Sequence, residues 1–338
     1  MIHVGVDLHQ RFCYMTAVEA RGKIVQAGAV CNEKQALRRY FRQFRGQAVQ
    51  VAVEACGFWP GFREVVEPEV KRLVLVHPQR VKAIASAKLK NDRVDSATLA
   101  HLSRCDLLPE SWKADRETQG RRQQVRLRAT LVRQRTRLKN QVHAVLHQQG
   151  LRSPVSDLFG QRGRQWLAKV KLPDKARETV RVCSRMIDSY TQEIEQQNRQ
   201  LSIEAKQDGR ARWLLTIPGI GVYSAMLLLA EIGDIERFPD KQALCNYAGL
   251  TPRVRESAGK AARGGITRQG SPWLRWIMVE AAQVATRSSP AVQRYYERLR
   301  KRKHSHVARV ALARKLLVAV YAMLRDGVAF EESKFAAV

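Results

Sequence analysis

Acidic residues are the scarce component of this sequence. Only 31 Asp and Glu stand against 60 Lys and Arg in 338 residues, for a formal net charge of +29. A folded chain with that imbalance repels itself unless a polyanion compensates it, and nucleic acid is the partner such a surplus points to. Long apolar runs are missing as well. No stretch approaches the roughly 18 residues of a membrane span, and residues 1–10 have no signal-peptide layout, so no membrane partner and a cytoplasmic location are expected. The six cysteines, at positions 13, 31, 56, 105, 183 and 245, form no CxxC pair. That argues against a disulfide frame or a zinc site and for thiols of a reducing compartment. Apolar material is not lacking: 45% of residues are hydrophobic, which excludes wholesale disorder. The length suggests at least two domains at about 150 residues each.

The positive charge is unevenly spread. Residues 1–110 carry 17 basic and 11 acidic side chains, whereas 116–152 carry ten basic and one acidic, and 294–315 nine basic and one acidic. The first third is therefore not the main polyanion-binding surface. Its pattern is α/β: short β-branched or aromatic-rich runs at 2–7, 12–18 and 23–30 predict three strands in a meander. A helical period follows over 33–44, with Leu37, Tyr40, Phe41 and Phe44 on one face. The remaining pattern predicts a strand over 49–53, a short helix over 60–66, a strand over 73–76, and helices over 78–87 and 92–104. Three strands, helix, strand, helix, strand, helix is the element order of the ribonuclease-H-like fold, although many α/β proteins come close to it.

From about 115 to 210 the pattern is all-helical. Residues 121–149 place apolar side chains mostly at three- and four-residue spacing with arginines on the other faces, and a second long helical pattern spans 175–206. Two long helices joined by a smaller irregular segment suggest a coiled-coil arm. Two roles stand open for it, a spacer or dimerisation element and a direct nucleic-acid contact through residues such as Arg133, Arg135 and Arg137. Beyond 211 an apolar helix at 213–217, the turn Pro218-Gly219-Ile220-Gly221 and a second apolar helix at 222–232 resemble a helix-hairpin-helix motif. Such a turn either packs without a ligand or offers the N–H groups around Gly219 and Gly221 to a phosphate. The domain boundaries expected are thus 1–110 for an α/β domain, 111–210 for the arm and 211–338 for a mainly helical terminal domain.

Four carboxylates form the first chemical constellation. Asp7 closes the first strand, Glu54 follows the fourth, and Asp92 and Asp95 lie three apart on one face of the last helix of the α/β domain. If the first and fourth strands are neighbours, Asp7 and Glu54 come side by side, and the helix brings Asp92 and Asp95 over them. Clustered carboxylates repel one another unless a cation compensates, and hard oxygen ligands select Mg²⁺ or Mn²⁺, ions that promote phosphoryl transfer. His9 and His101 lie near this set in sequence and are taken as packing or supporting residues. His143 and His147 share a helix face with no third ligand and read as a solvated pair.

The second constellation surrounds a serine. Residues 251–270, TPRVRESAGKAARGGITRQG, hold four glycines, the basic residues Arg253, Arg255, Lys260, Arg263 and Arg268, and one central serine, Ser257. Glycines let the backbone approach a ligand, and arginines bind phosphate bidentately, so composition reads as a phosphate-binding loop. A nucleophilic serine needs a base or metal activation, and no local histidine supplies one.

These motifs together resemble the insertion-sequence 110 family of transposases, the DEDD transposases described as bridge-RNA-guided recombinases. The resemblance rests on GVDLH around Asp7, VEACG around Glu54, LKNDRVDSATLA around Asp92 and Asp95, the IPGIG turn, YAGLTPR, and ESAGKAARGGITRQG around Ser257. It implies a RuvC-like domain whose Asp7, Glu54, Asp92 and Asp95 bind Mg²⁺ or Mn²⁺, a coiled-coil arm, and a terminal transposase domain. It further implies that Ser257 attacks a DNA phosphodiester to give a covalent phosphoserine. Donor and target DNA, a noncoding guide RNA and a homo-oligomer, dimer or tetramer, whose subunits complete each other's sites, are the implied partners, in a bacterial, nucleoid-associated setting. Two positions depart from the family pattern: Gln10 stands where many relatives have Lys, and Ser96 follows Asp95 where Ala is more usual. Neither removes a ligand or the nucleophile. A RuvC-like nuclease in which Ser257 only binds phosphate, and a non-catalytic RNA- or DNA-binding protein, are the alternatives.

Overall fold

The computed structural model describes residues 1–85, 91–257 and 260–336, without the side chains of 254–263, 334 and 336. Lys90 of the LKNDRVD motif and the end of the helix expected over 78–87 lie outside the described residues. The chain divides into two compact units, Met1–Lys113 and Ala114–Val338.

The first unit is a five-stranded mixed sheet. Strands β1 (Ile2–Leu8), β2 (Phe12–Glu19) and β3 (Ile24–Cys31) form an antiparallel meander. Helix α1 (Lys34–Arg42) leads to β4 (Val49–Glu54), and α2 (Trp59–Val66) leads to β5 (Arg72–Val76). Both later strands run parallel to β1, giving the order β3-β2-β1-β4-β5. Helices α3 (Pro78–Ile84) and α4 (Asp92–Arg104) complete the unit. The adjacency of first and fourth strands, which the carboxylate argument required, is present.

Central β1 is covered on both faces, as its nearly unbroken burial demands. Ile2, Val4, Val6 and Leu8 pack into one core with Leu37, Phe41, Phe62 and Val66. The alternate residues, His3, Gly5 and Asp7, face α4. There the Ser103 hydroxyl hydrogen-bonds His3 Nδ1 and accepts from Gln50 Nε2, each at 3.0 Å, while Thr16 and Ser96 hydroxyls meet at 2.8 Å. Ser96 is fully buried and docks α4 on β2. Gly5 sits beneath the helix: a Cβ there would lie 2.0 Å from the Ser96 carbonyl oxygen and 2.5 Å from the Ala100 nitrogen. Those are backbone atoms, so Gly5→Ala displaces α4 as a whole. We expect a loss of about 1–3 kcal/mol, read from the urea midpoint of the first unfolding transition. An unchanged midpoint would mean that α4 does not lie against β1.

The second unit is built on two long helices. Asp115 caps α5 (Arg116–Gln148) by accepting from the Thr118 N–H. A short helix, α6 (Gln161–Lys169), stands where an irregular segment was expected, and α7 (Asp174–Gln207) returns. Arg121 reaches Asp208, Arg128 reaches Asn198, and Arg135 reaches Thr191, so the pair is antiparallel. At the far end Val142 and Leu146 pack with Leu158, Val180, Cys183 and Ile187. At the near end Val125, Leu201 and Ala205 enter the core of the terminal helices.

Those helices are α8 (Gly209–Leu214), α9 (Val222–Ile232), α10 (Lys241–Tyr247), α11 (Pro272–Ser288), α12 (Pro290–Arg300), α13 (Ser305–Asp326) and α14 (Glu332–Ala336). The helix expected at 213–217 instead ends at Leu214: Thr216 and Ile217 donate their N–H groups only three residues back, to Trp213 and Leu214, in a tight turn ahead of Pro218. Between α10 and α11 the basic, glycine-rich segment forms an antiparallel hairpin, β6 (Pro252–Ser257) and β7 (Lys260–Ile266), rather than a loop. Val254 and Ile266 are the only strand-favouring residues in the two segments, so composition gave little sign of strands and their mutual pairing decides the structure.

Candidate functional site

Asp7 is the penultimate residue of β1, on the face that carries α4. The parallel register pairs Val6 with Val53, and one step further sets Asp7 beside Glu54 on that same face. Across from them, Asn91 caps α4 by accepting from the Val94 N–H at 2.8 Å, which places Asp92 and Asp95 in its first turn. The amino end of a helix favours carboxylates there.

Three groups converge most closely. His9 Nε2 stands 3.4 Å from Asp7 Oδ2 and 3.5 Å from Asp92 Oδ2. Asp7, His9 and Asp92 each offer a ligand atom, all within 4.8 Å of one another. Asp95 is outside that trio, but its charge reaches Asp7. Burial pushes the Asp7 carboxyl above its ordinary range; His9 pulls it back in part, and the negative charges of Asp92 and Asp95 add to the rise. Glu54 also lies outside the trio, placed beside it by strand register. Sequence reasoning found the four carboxylates but set His9 aside. The missed signal is the two-residue spacing of Asp7 and His9, which continues one face of a strand.

The residues present fit a divalent cation. Two carboxylates and an imidazole offer oxygen and nitrogen donors, and the His9 Nε2 atom is buried without a hydrogen-bond partner. Asp7 carries an electrostatic cost that a cation would relieve.

The second unit distributes its arginines between structure and surface. Arg133 lies over the Trp273 and Trp276 rings, at 4.5 and 5.8 Å, and Arg135 donates to the Thr191 hydroxyl. Arg137 is exposed. Further down α5, Arg126 makes two hydrogen bonds to Glu231, which is fully buried and also accepts from the Ser271 hydroxyl at 2.8 Å. Arg128 lies 4.0 Å over the Tyr223 ring.

Gly219 has a φ of +85°, and a Cβ there would come within 2.6 Å of the Ala281 carbonyl, so its need for glycine comes from packing on α11. Gly221 is the N-cap of α9 and has open space around it. Arg253 and Arg268 are exposed at the open end of the β6–β7 hairpin, Arg253 donating to the Thr267 carbonyl. Ser257 ends β6; its side chain, with those of Arg255, Lys260 and Arg263, lies outside the described residues.

A strand-end carboxylate cluster in a protein of +29 charge marks an enzyme that acts on nucleic acid. Comparison with known proteins narrows that class. Residues 4–150 match a family model for the DEDD transposase of IS110, described as a transposase, and residues 211–297 match the "Transposase IS116/IS110/IS902 family". The chain is 26% identical to the transposase for insertion sequence element IS1328 of Yersinia enterocolitica, over 97% of this chain and 98% of that one. It is also 26% identical to the transposase for insertion sequence element IS1111A of Coxiella burnetii, over 95% and 89% of the two chains. A third relative, the pilin gene-inverting protein of Moraxella bovis, is 27% identical over 86% of this chain and 84% of its own. The chain belongs to the IS110 family of transposases. Its DEDD type agrees with use of a divalent metal at the acidic cluster. Among the described residues no helix is long and apolar enough to cross a membrane.

Proposed function

We propose that this transposase cuts and rejoins DNA with a RuvC-like metal site and a serine nucleophile, guided by a noncoding bridge RNA. The convergence of Asp7, His9 and Asp92 at the end of the central strand carries the metal half of the reading. The sheet order supports a ribonuclease-H-like assignment for residues 1–110. Asp7, Glu54, Asp92 and Asp95 would hold Mg²⁺ or Mn²⁺. Bound there, the metal supplies charge stabilisation at a phosphoryl oxygen and activation of an attacking oxygen.

The chain's own part is to fix those carboxylates on a rigid strand and a docked helix, so that little reorganisation remains at the moment of reaction. Ser257 Oγ bonds to phosphorus as the bond from phosphorus to a sugar oxygen breaks; the serine loses a proton and the departing oxygen gains one. Rejoining reverses the exchange. Residues 111–210 serve as the arm and 211–338 as the domain bearing Ser257, in a dimer or tetramer that works on donor and target DNA in the bacterial cytoplasm, at the nucleoid.

Nucleic-acid contacts fall to exposed basic side chains of the second unit. Arg137 on α5, Arg253 in β6 and Arg268 just after β7 are exposed, as are Arg294 and Arg298 on α12 and Lys301 at its end. Arg255, Lys260 and Arg263 extend the basic character of the hairpin in sequence, and the N–H groups at Gly221 suit a phosphate better than those at Gly219, which is packed on α11. Arg133 and Arg135 contribute while held by Trp273 and Thr191. Base pairing with the guide would choose the sequence, leaving the protein to read RNA shape and backbone charge.

The test is a denaturation-resistant protein–DNA adduct. The parent is expected to form it with Mg²⁺ and element-end DNA in the presence of the element's flanking RNA, and Ser257→Ala to form none. Cleavage that survives Ser257→Ala would leave a RuvC-like nuclease without serine chemistry. Rejoining that proceeds with no RNA present would remove the guide from the reading.

A further inference from the structure

We infer that His9 is a nitrogen ligand of the metal site formed around Asp7 and Asp92, and that it biases this site toward Mn²⁺ relative to Mg²⁺. The inference rests on the metal-dependent reading given above and concerns a position outside the four carboxylates.

The first argument is placement. His9 follows Asp7 by two residues, so the strand's alternation directs both to the α4 face. The backbone holds it there: the His9 N–H donates to the Phe12 carbonyl at 2.9 Å, and the His9 carbonyl accepts from Asn32 Nδ2 at 3.0 Å. The ring packs against Phe12 with centroids 4.8 Å apart. An imidazole fixed at backbone and ring arrives at the site already oriented, which lowers the entropic cost of binding.

The second argument is distance. A histidine whose task is to neutralise two carboxylates makes charge-assisted hydrogen bonds of about 2.7–2.9 Å. His9 Nε2 instead stands 3.4 and 3.5 Å from Asp7 and Asp92, longer than such bonds, and this atom is covered although the side chain is 42% exposed. Neighbouring ligands on an octahedral cation with bonds of about 2.0–2.1 Å lie about 3 Å apart, so modest side-chain adjustment satisfies all three atoms at once.

The third argument is chemistry. Mg²⁺ prefers oxygen donors and retains its water, whereas Mn²⁺ stands higher in the affinity order for nitrogen-containing sites. Two carboxylates and one imidazole therefore favour Mn²⁺ more than four carboxylates alone do.

Pulsed electron paramagnetic resonance of the Mn²⁺-loaded full-length protein tests this directly. The expected result is an imidazole nitrogen coupling that changes on ¹⁵N-histidine labelling and disappears in His9→Ala with Mn²⁺ still bound. Calorimetry is expected to show Mn²⁺ affinity falling about tenfold in His9→Ala, with Mg²⁺ affinity changed by about twofold or less. His9→Gln serves as a second variant should the alanine form fail to fold, and the labelling result on the parent needs no variant. Bound Mn²⁺ without nitrogen coupling, or coupling that persists in both variants, overturns the role of His9 and leaves the carboxylate site standing. Absence of stoichiometric Mn²⁺ binding by the parent overturns the metal site itself, and His9 with it.

Discussion

Asp7→Asn is expected to lower DNA cleavage and rejoining by about a thousandfold while raising the melting temperature of the metal-free protein. The two effects have one source. Asp7 is half-buried, faces Asp92 and Asp95, and has its carboxyl held above the ordinary range chiefly by burial, with those charges adding to the rise and His9 opposing it. Its ionised form is therefore a burden on the metal-free fold, one that the proposed cation would relieve. Asparagine keeps the shape and removes the charge. The catalytic figure follows from losing a charge that positions several kcal/mol of phosphoryl stabilisation.

The stability gain carries a definite pH dependence. A folded-state pKa above the unfolded one means that ionisation opposes folding, so the burden is fully present at neutral pH and vanishes below the unfolded-state value, near 3.8. At pH 7 in EDTA the variant is expected to melt about 2–4 °C above the parent for each kcal/mol relieved, and the difference is expected to shrink as pH falls toward 4. A lower melting temperature at pH 7 would identify Asp7 as a structural anchor instead.

Arg126→Ala is expected to cost about 3–5 kcal/mol, more than any other single arginine on α5. Glu231 is fully buried, and its carboxylate is satisfied by two hydrogen bonds from Arg126 and one from Ser271. Removing Arg126 strands a buried charge, which is the expensive way to break such a pair. Removing the other partner is cheaper, because the Arg126 side chain is 40% exposed and turns to water. The same substitution in a Glu231→Gln background should therefore cost less than in the parent. Denaturant midpoints at constant slope measure all four proteins, and equal costs in the two backgrounds would deny the coupling. Ser271 also caps α11 by accepting from the Leu274 N–H, so this cluster ties α5, α9 and α11 together.

That cluster shows where linear reading runs out. The arginines of α5 look alike in sequence, a basic coat suited to polyanions. Folding separates them by what stands opposite: Glu231 for Arg126, Tyr223 for Arg128, the two tryptophans for Arg133, and solvent for Arg137. Each partner lies far along the chain, and no local period announces it. The hairpin at 252–266 was hidden for a related reason. Glycine and arginine content argues for a phosphate loop, while strand formation is decided by pairing between β6 and β7.

The order of elements in the first unit and the positive charge that suits a DNA partner were legible in the sequence, and the four carboxylates stood out there as candidates. Those are carried by local quantities: side-chain alternation, helical period and net charge. Which carboxylates meet was decided only by tertiary structure. It needed β1 beside β4, a glycine beneath α4, and Ser96 and Ser103 to dock that helix. His9 joined the site for the same reason. Its importance lies in two oxygen atoms, one of them 83 residues away on Asp92, that only the packed sheet and helix bring within reach.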